Sequence, residues 1–372
     1  MTQRERIMAV LSHQLPDRMP AIIDARQEVQ QELMRYYGVD AFEDALRILG
    51  AENMYRFPTD SMLKVDFPGY DEKAEVVEGP WMGGGKKYIK IDERTLQDEW
   101  GVVRQIGSDG KFVEWRSGPL EDADDPDEYD FPDPERIIDD PDLPANVAAW
   151  KEHGFFVRAL VSQPYKTAWV LRGMQNLLMD YLTNLPFVEK LYDKIYALQT
   201  EILRRCTAAG VDMIGFDGDI AMHDRLIMGP RNWRKVDKPR LAAVVQSCKA
   251  INPNVHVFIH SDGDISKILP DLIEIGFDVI DPMQPECMDH VDIKKKYGDQ
   301  ITMHRGGSLQ RTLPFGTPED CRQEAIQLIE NCGYNGGLLP GASNTVSFDV
   351  PIENLVAWYE AVRDYDMSTL QP

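Results

Sequence analysis

The chain has 372 residues, 62 of them acidic against 40 basic, for a formal net charge of −22 and a pI near 4.7. That balance excludes the positive footprint on which non-specific binding to nucleic acid or anionic lipid depends. Hydrophobic residues at 43% and charged residues at 27% describe an ordinary globular protein with a buried core, and no run approaches the ~18 apolar residues of a membrane span. The opening Met1-Thr2-Gln3-Arg4-Glu5-Arg6 is charged and lacks the apolar core of a signal peptide. Five cysteines, Cys206, Cys248, Cys287, Cys321 and Cys332, form no CxxC pair and fit reduced thiols better than a disulfide framework. A cytoplasmic setting is expected.

In chain order, residues 2–13 place Ile7, Met8, Val10 and Leu11 at helical spacing, and Gln14-Leu15-Pro16-Asp17-Arg18 breaks that helix. Met19 to Ile23 reads as a first strand ending at Asp24. Helices over 26–37 and 40–49 follow, then a second strand near 52–57. Segments 74–91 and 99–116 carry β patterning (Glu75-Val76-Val77, Tyr88-Ile89-Lys90-Ile91, Val102-Val103-Arg104, Phe112-Val113-Glu114-Trp115), with Gly83-Gly84-Gly85 and Asp109-Gly110 as turn signals. The acidic, proline-punctuated stretch from Glu121 to Pro144 lacks the spacing of a calcium loop and reads as a solvated loop. Residues 58–145 are therefore expected to form a β-hairpin insertion within one domain spanning 1–372.

From residue 155 onward, strand-like runs alternate with helical ones. The runs are Phe155–Val161, Met213–Phe216, Val255–Ile259, Val279–Ile280, Ile301–Met303 and Leu338–Leu339, separated by helices such as 186–209, 230–250, 265–275, 318–332 and 351–365. Such alternation predicts parallel βαβ units. With the two early strands the count is eight, predicting an α/β fold of the (β/α)₈ TIM-barrel class with an N-terminal helical extension. An open doubly wound sheet is the alternative, but no GxGxxG follows a strand.

A barrel of this kind places its chemistry just beyond the C-terminal strand ends. There the sequence offers Asp24 and Arg26; Gln163 and Tyr165; Asp217 and Asp219, with His223 beyond; His260 and Asp262; Asp281, Gln284 and Glu286; His304; and Asn344. Carboxylates and imidazoles converging on one rim suit acid–base work or metal binding. His260, Asp262 and Asp217 are the catalytic candidates. Asp24, Arg26, Gln163, Tyr165, Gln284, Glu286, His304 and Asn344 are the substrate-binding ones. His260 and Asp262 suit Zn²⁺ or a similar divalent metal but are too few alone; Asp219 and Glu286 are the chief candidates to complete the set, with Asp217 and His304 as further ones. Without a metal, His260 would bind substrate or move protons. Asp-Gly pairs after strands also serve as turns and N-caps: Asp264 is expected to cap the helix beginning at Ile265, and Asp219 could cap its own segment. His13, His153 and His290 read as surface residues without a role.

Arg4-Glu5-Arg6-Ile7, Pro16-Asp17-Arg18-Met19-Pro20, Glu99-Trp100-Gly101-Val102, Tyr129-Asp130-Phe131-Pro132-Asp133-Pro134, His260-Ser261-Asp262-Gly263-Asp264, Leu313-Pro314-Phe315-Gly316-Thr317-Pro318-Glu319 and Pro351-Ile352-Glu353-Asn354 together resemble the uroporphyrinogen decarboxylase superfamily, nearly end to end. The resemblance implies a barrel with its active site in the mouth, and two chemistries. The decarboxylases need no cofactor and use a pair of arginines, an aspartate and a late histidine. Here Arg26-Gln27 stands near the first arginine, Gln30 at the second, and Ser343-Asn344 at the histidine. The methyltransferase-like branch moves methyl groups to or from a corrinoid protein, often with zinc held by His-x-Cys and a distant Cys. Here Asp262 replaces the first cysteine and Ser343-Asn344 the second, leaving a harder, oxygen-rich donor set. The expected function is thus corrinoid-linked methyl transfer from a small methylated, O-methyl-type substrate, with a corrinoid protein as partner and a homodimer implied by the family. A cofactor-independent decarboxylase of a tetrapyrrole or smaller acid, and a scaffold built on a degenerate barrel, are the competing readings.

Overall fold

The computed structural model describes residues 1–52, 64–69, 71, 73–78, 87–108, 113–138 and 140–370. Its centre is a six-stranded parallel sheet ordered as the chain runs: β3 (Arg158–Ser162), β4 (Met213–Asp217), β5 (His256–His260), β6 (Val279–Asp281), β7 (Thr302–His304) and β8 (Leu338–Leu339). Two further strands, β1 (Ala21–Ile22) and β2 (Ala51–Glu52), pair in parallel with each other. Bridges Ile22↔Gly341 and Ala25↔Val346 join β1 to the chain just beyond β8. Eight parallel strands follow one another in barrel order, seven at their expected places and the second seen only as Ala51–Glu52, and the fold is TIM-barrel-like.

The expected closed ring is not reached. Among the described residues nothing pairs β2 with β3, so the ladder stays open at that seam. Among the described residues β2 comprises Ala51–Glu52, and β3 does not begin until Arg158. Residues 53–57 of the expected second strand, and the turn signals Gly83-Gly84-Gly85 and Asp109-Gly110, lie outside the described residues.

Alternation along each strand sorts side chains into two layers. Ile22, Leu160, Met213, Phe258, Val279 and Leu339, from six different strands, meet in one inner cluster with Phe156 and with Ile7, Val10 and Leu11 of the first helix. That helix, Gln3–Leu11, starts at a capping box made by Thr2 and Glu5. It lies across the N-terminal strand ends: Arg4 pairs with Asp212 just before β4 at 2.9 Å, and Gly337 N donates to the Val10 carbonyl just before β8. Each fully buried large apolar side chain contributes about 1.5–3 kcal/mol, so the inner cluster both closes that end and leaves the opposite rim to polar residues. The outer layer packs against long helices Leu185–Ala208, Gly229–Ile251, Pro318–Cys332 and Ile352–Arg363, close to their expected bounds.

Between β2 and β3 stands a five-stranded antiparallel meander (Val76–Glu78, Lys87–Lys90, Thr95–Gln97, Val103–Ile106, Val113–Ser117), while Lys64–Val65 pairs with Ile137–Ile138. The Glu99-Trp100-Gly101-Val102 segment is a turn held by Asp98, whose Oδ1 accepts from the backbone of Trp100 and Val102 and whose Oδ2 accepts from Arg104. The acidic stretch is anchored rather than merely solvated: Asp125 and Asp127 pair with Lys190 and Lys194 at 2.5–2.7 Å, and Lys194 lies over the Phe131 ring.

One acid sits wholly inside the helical layer. Asp237 accepts a hydrogen bond from Tyr196 Oη at 3.2 Å, its other oxygen has no partner, and burial pushes its carboxyl up to about 7. An acid raised in the folded state loses stability as pH climbs from its unfolded value near 4 to its folded one, and stays penalised above that. Asp237→Asn should therefore be more stable than wild type by a few kcal/mol at pH 8, with the gap closing towards pH 4. Urea denaturation at the two pH values measures this; a gap independent of pH would contradict it.

Candidate active site

At the C-terminal rim, neighbouring strand ends bring four residues to one point. His260 ends β5, with Asp217 ending β4 as its register partner and Asp281 ending β6 on the other side. His260 Nε2 lies 3.7 Å from Asp219, 3.9 Å from Asp217 and 3.9 Å from Asp262. One ligand atom from each of Asp219, His260 and Asp262 falls within 4.8 Å of the others. The chain kinks to make this so. Asp262 N donates to Asp219 Oδ1 at 2.9 Å, tying the loop after β5 to the loop after β4, and Gly263 takes a left-handed φ of 89°. A Cβ on Gly263 would stand 2.3 Å from the Met222 carbonyl. Gly263→Ala should therefore destabilise the protein by more than ~1 kcal/mol and displace Asp262, seen as a lowered melting temperature; an unchanged melting temperature would refute the close approach.

The opposite edge of His260 is fixed more tightly. Its Nδ1 meets Asp281 Oδ2 at 2.6 Å. Asp281 is wholly buried and also accepts from His304 Nδ1 at 2.7 Å and Arg305 Nε at 2.6 Å, with Arg305 Nη2 on its other oxygen. Burial would raise this carboxyl, but Arg305, His304 and the hydrogen bonds hold it well below the usual range. Burial, with Arg305 and Arg158 nearby, pushes His304 down to about 4 and keeps it neutral. His260 is the reverse case. Burial alone would lower it, yet the Asp281 hydrogen bond and charge, with Asp217, lift it to about 9. Asp262 is raised, first by burial and then by Asp219, against the opposing pull of His260.

The remaining candidates divide. Asn344 Nδ2 donates to Asp262 Oδ2 at 2.6 Å, and Asp24 accepts from Thr345 next to it. Gln284 accepts from Gly263 N at 3.1 Å. Gln163 is buried beside Gly218, and its Nε2 has no partner. These four therefore cluster around the His260 group. Arg26 stands at the start of helix Gln27–Tyr37. Gln30, at the second arginine position, spends its amide on the Ala25 carbonyl. Tyr165 is buried, and its hydroxyl has no hydrogen-bond partner. Glu286 lies outside the three-ligand group, because Ser308 Oγ holds one of its carboxylate oxygens. His304 also lies outside it, behind Asp281. Asp264 does cap its turn, accepting from Ser266 N at 2.9 Å. Asp219 caps nothing and instead ties down Asp262. His290 is not a surface residue: its Nε2 sits 2.6 Å from the Met283 carbonyl, and burial lowers it.

Sequence reasoning gave no role to Asp281 or Arg305, although both stand at strand ends. It missed the hairpin Ala221–Met222/Arg225–Leu226, which carries His223 to within 3.5 Å of Cys287 Sγ. An acidic residue directly ending a buried run, Val279-Ile280-Asp281, was the available signal for the first.

Charge decides what this group can hold. Arg305 balances Asp281, which leaves Asp217, Asp219 and Asp262 around one imidazole, a donor set of hard oxygens and one nitrogen that suits a divalent cation. Asp262 Oδ1 is buried without a partner, as expected of a ligand atom awaiting one.

The family model described as uroporphyrinogen decarboxylase (URO-D) matches residues 146–365, more than half of the chain. No curated protein matches it by sequence. Among solved structures, a methyltransferase from Methanosarcina mazei superposes with a TM-score of 0.64 at 18% identity, covering 97% of this chain and 98% of the other. The GH53 catalytic domain of Ignisphaera aggregans superposes with a TM-score of 0.34 at 15% identity, covering 60% of this chain and 79% of the other, a likeness too slight to bear on fold or function. No helix among the described residues is long and apolar enough to cross a membrane.

Proposed function

The chain belongs to the uroporphyrinogen decarboxylase family, and we propose that within it this protein is a methyltransferase. It would pass a methyl group from a small O-methyl donor to a corrinoid carried by a partner protein, using a divalent metal held by Asp219, His260 and Asp262. The observation that carries this reading is that donor set: three acidic side chains and one imidazole at the strand ends, with a buried Asp262 oxygen that has no hydrogen-bond partner. Such a metal, when bound, supplies Lewis acidity towards an ether oxygen. The chain's own residues supply the setting. Asn344 and Asp219 hold the Asp262 loop, Gln284 holds Gly263, and the unpartnered Gln163 amide offers a donor to a bound molecule. The fold shared with the Methanosarcina mazei methyltransferase over nearly the whole of both chains points to the same class. A tetrapyrrole bearing many carboxylates would meet like charge at this rim, which weighs against the decarboxylase reading.

The test is anaerobic. Protein loaded with Zn²⁺ is mixed with reduced cobalamin as acceptor and with O-methyl, N-methyl and S-methyl donors in turn. Methylcobalamin, followed by its absorbance, is expected from O-methyl donors and should disappear with chelator. Chelator-insensitive release of CO₂ from a carboxylic acid, with no methylcobalamin from any donor, would overturn the proposal.

A further inference from the structure

We propose that Asp281 is the positioning residue of this site: it grips the Nδ1 edge of His260 and thereby turns Nε2 towards Asp219 and Asp262. The inference rests on the metal-binding reading above and deepens it. A carboxylate can only accept, so the 2.6 Å contact with Asp281 Oδ2 keeps a proton on Nδ1 of His260, and Nε2 is then the nitrogen that would give up its proton and present a lone pair to a metal. That nitrogen is the one facing the acidic group at 3.7–3.9 Å. Arg305 Nη2 stands 3.2 Å from the same Nδ1, but with Nδ1 protonated it faces a donor there, and it donates to Asp281 instead.

Asp281 is suited to this task by how firmly it is itself held. It is the register neighbour of His260 on the adjoining strand. Arg305 engages both of its oxygens, and His304 takes the side away from His260. The carboxylate therefore has no freedom to swing, and the ring it holds has one orientation. Outer partners of this kind fix the tautomer and angle of a metal-binding histidine, and losing one costs 10–100-fold in affinity. The sequence hides the arrangement because His260 and Asp281 are separated by a whole helix.

The experiment measures Zn²⁺ affinity by competition with a chromophoric chelator. Asp281→Asn is expected to bind Zn²⁺ ~10–100-fold more weakly than wild type. His260→Ala and the double variant Asp281→Asn/His260→Ala are expected to bind equally weakly, because Asp281 acts only through the ring. Unchanged affinity in Asp281→Asn, or a double variant weaker than His260→Ala, would overturn the role. Should Asp281→Asn fail to fold, ¹⁵N-histidine NMR of Zn²⁺-loaded wild type decides: a protonated Nδ1 with metal-bound Nε2 supports the role, and a metal-bound Nδ1 sinks it. Wild type that takes up no Zn²⁺ would instead remove the functional reading and this role with it, an outcome distinct from tight wild-type binding that Asp281→Asn leaves untouched.

Discussion

His260→Ala should abolish tight binding of a divalent metal at the proposed site. Three aspartates gather at the rim, but Asp217 and Asp219 are about half exposed and free to relax into water, so the carboxylates alone make a loose site. The imidazole is the rigid member, held from behind by Asp281. Removing a ligand should weaken binding by more than the 10–100-fold that losing a mere outer partner costs, so a rise in dissociation constant beyond ~100-fold is expected. Metal content of the two proteins purified side by side, with circular dichroism to show that both are folded, gives the answer. Equal metal content would mean that the ion, if any, is held elsewhere, and the proposed site would have to be abandoned.

The second large effect is on stability. Arg305 is 3% exposed and adopts a left-handed φ of 62°, a conformation that costs a residue with a side chain about 1 kcal/mol or more. That cost is offset by placing its guanidinium against Asp281. Arg305→Ala would leave the buried carboxylate without its principal cation, a change that typically costs about 3–5 kcal/mol. The pH dependence follows from the direction of the Asp281 shift. A carboxyl held low in the folded state stabilises the protein fully above its unfolded value near 4, and that contribution fades as pH falls below it. In Arg305→Ala the carboxyl loses the largest of the charges that hold it low and keeps only His304 and the histidine hydrogen bonds. The gap between wild type and variant should thus be widest near pH 7 and narrow below pH ~4. Urea midpoints across that range measure it, and a constant gap would show that Arg305 acts through packing instead.

Much of the fold was written locally. The eight strands and the helices over 3–11, 27–37, 185–208, 229–251, 318–332 and 352–363 follow from apolar periodicity and from punctuation by proline, glycine and caps, which act over a few residues. The rim location of His260, Asp262, Asp217 and Asp219 followed as well, because a polar residue directly after a buried strand can go nowhere else. What could not be read was which strand-end residues share a neighbourhood. Glu286 and Asp219 looked equivalent as candidate ligands, yet the hydrogen bond from Asp262 N draws Asp219 in, while Ser308 draws Glu286 away.

The His260–Asp262 pair shows the division most clearly. The sequence by itself determined that an imidazole and a carboxylate stand at the end of a buried strand. Only the tertiary structure decided that Asp217 and Asp219 arrive from the neighbouring strand and that Asp281 locks the ring from behind. The reason is physical: strand-end chemistry is set by local pattern, whereas a binding site is set by register between parallel strands that lie far apart in the chain.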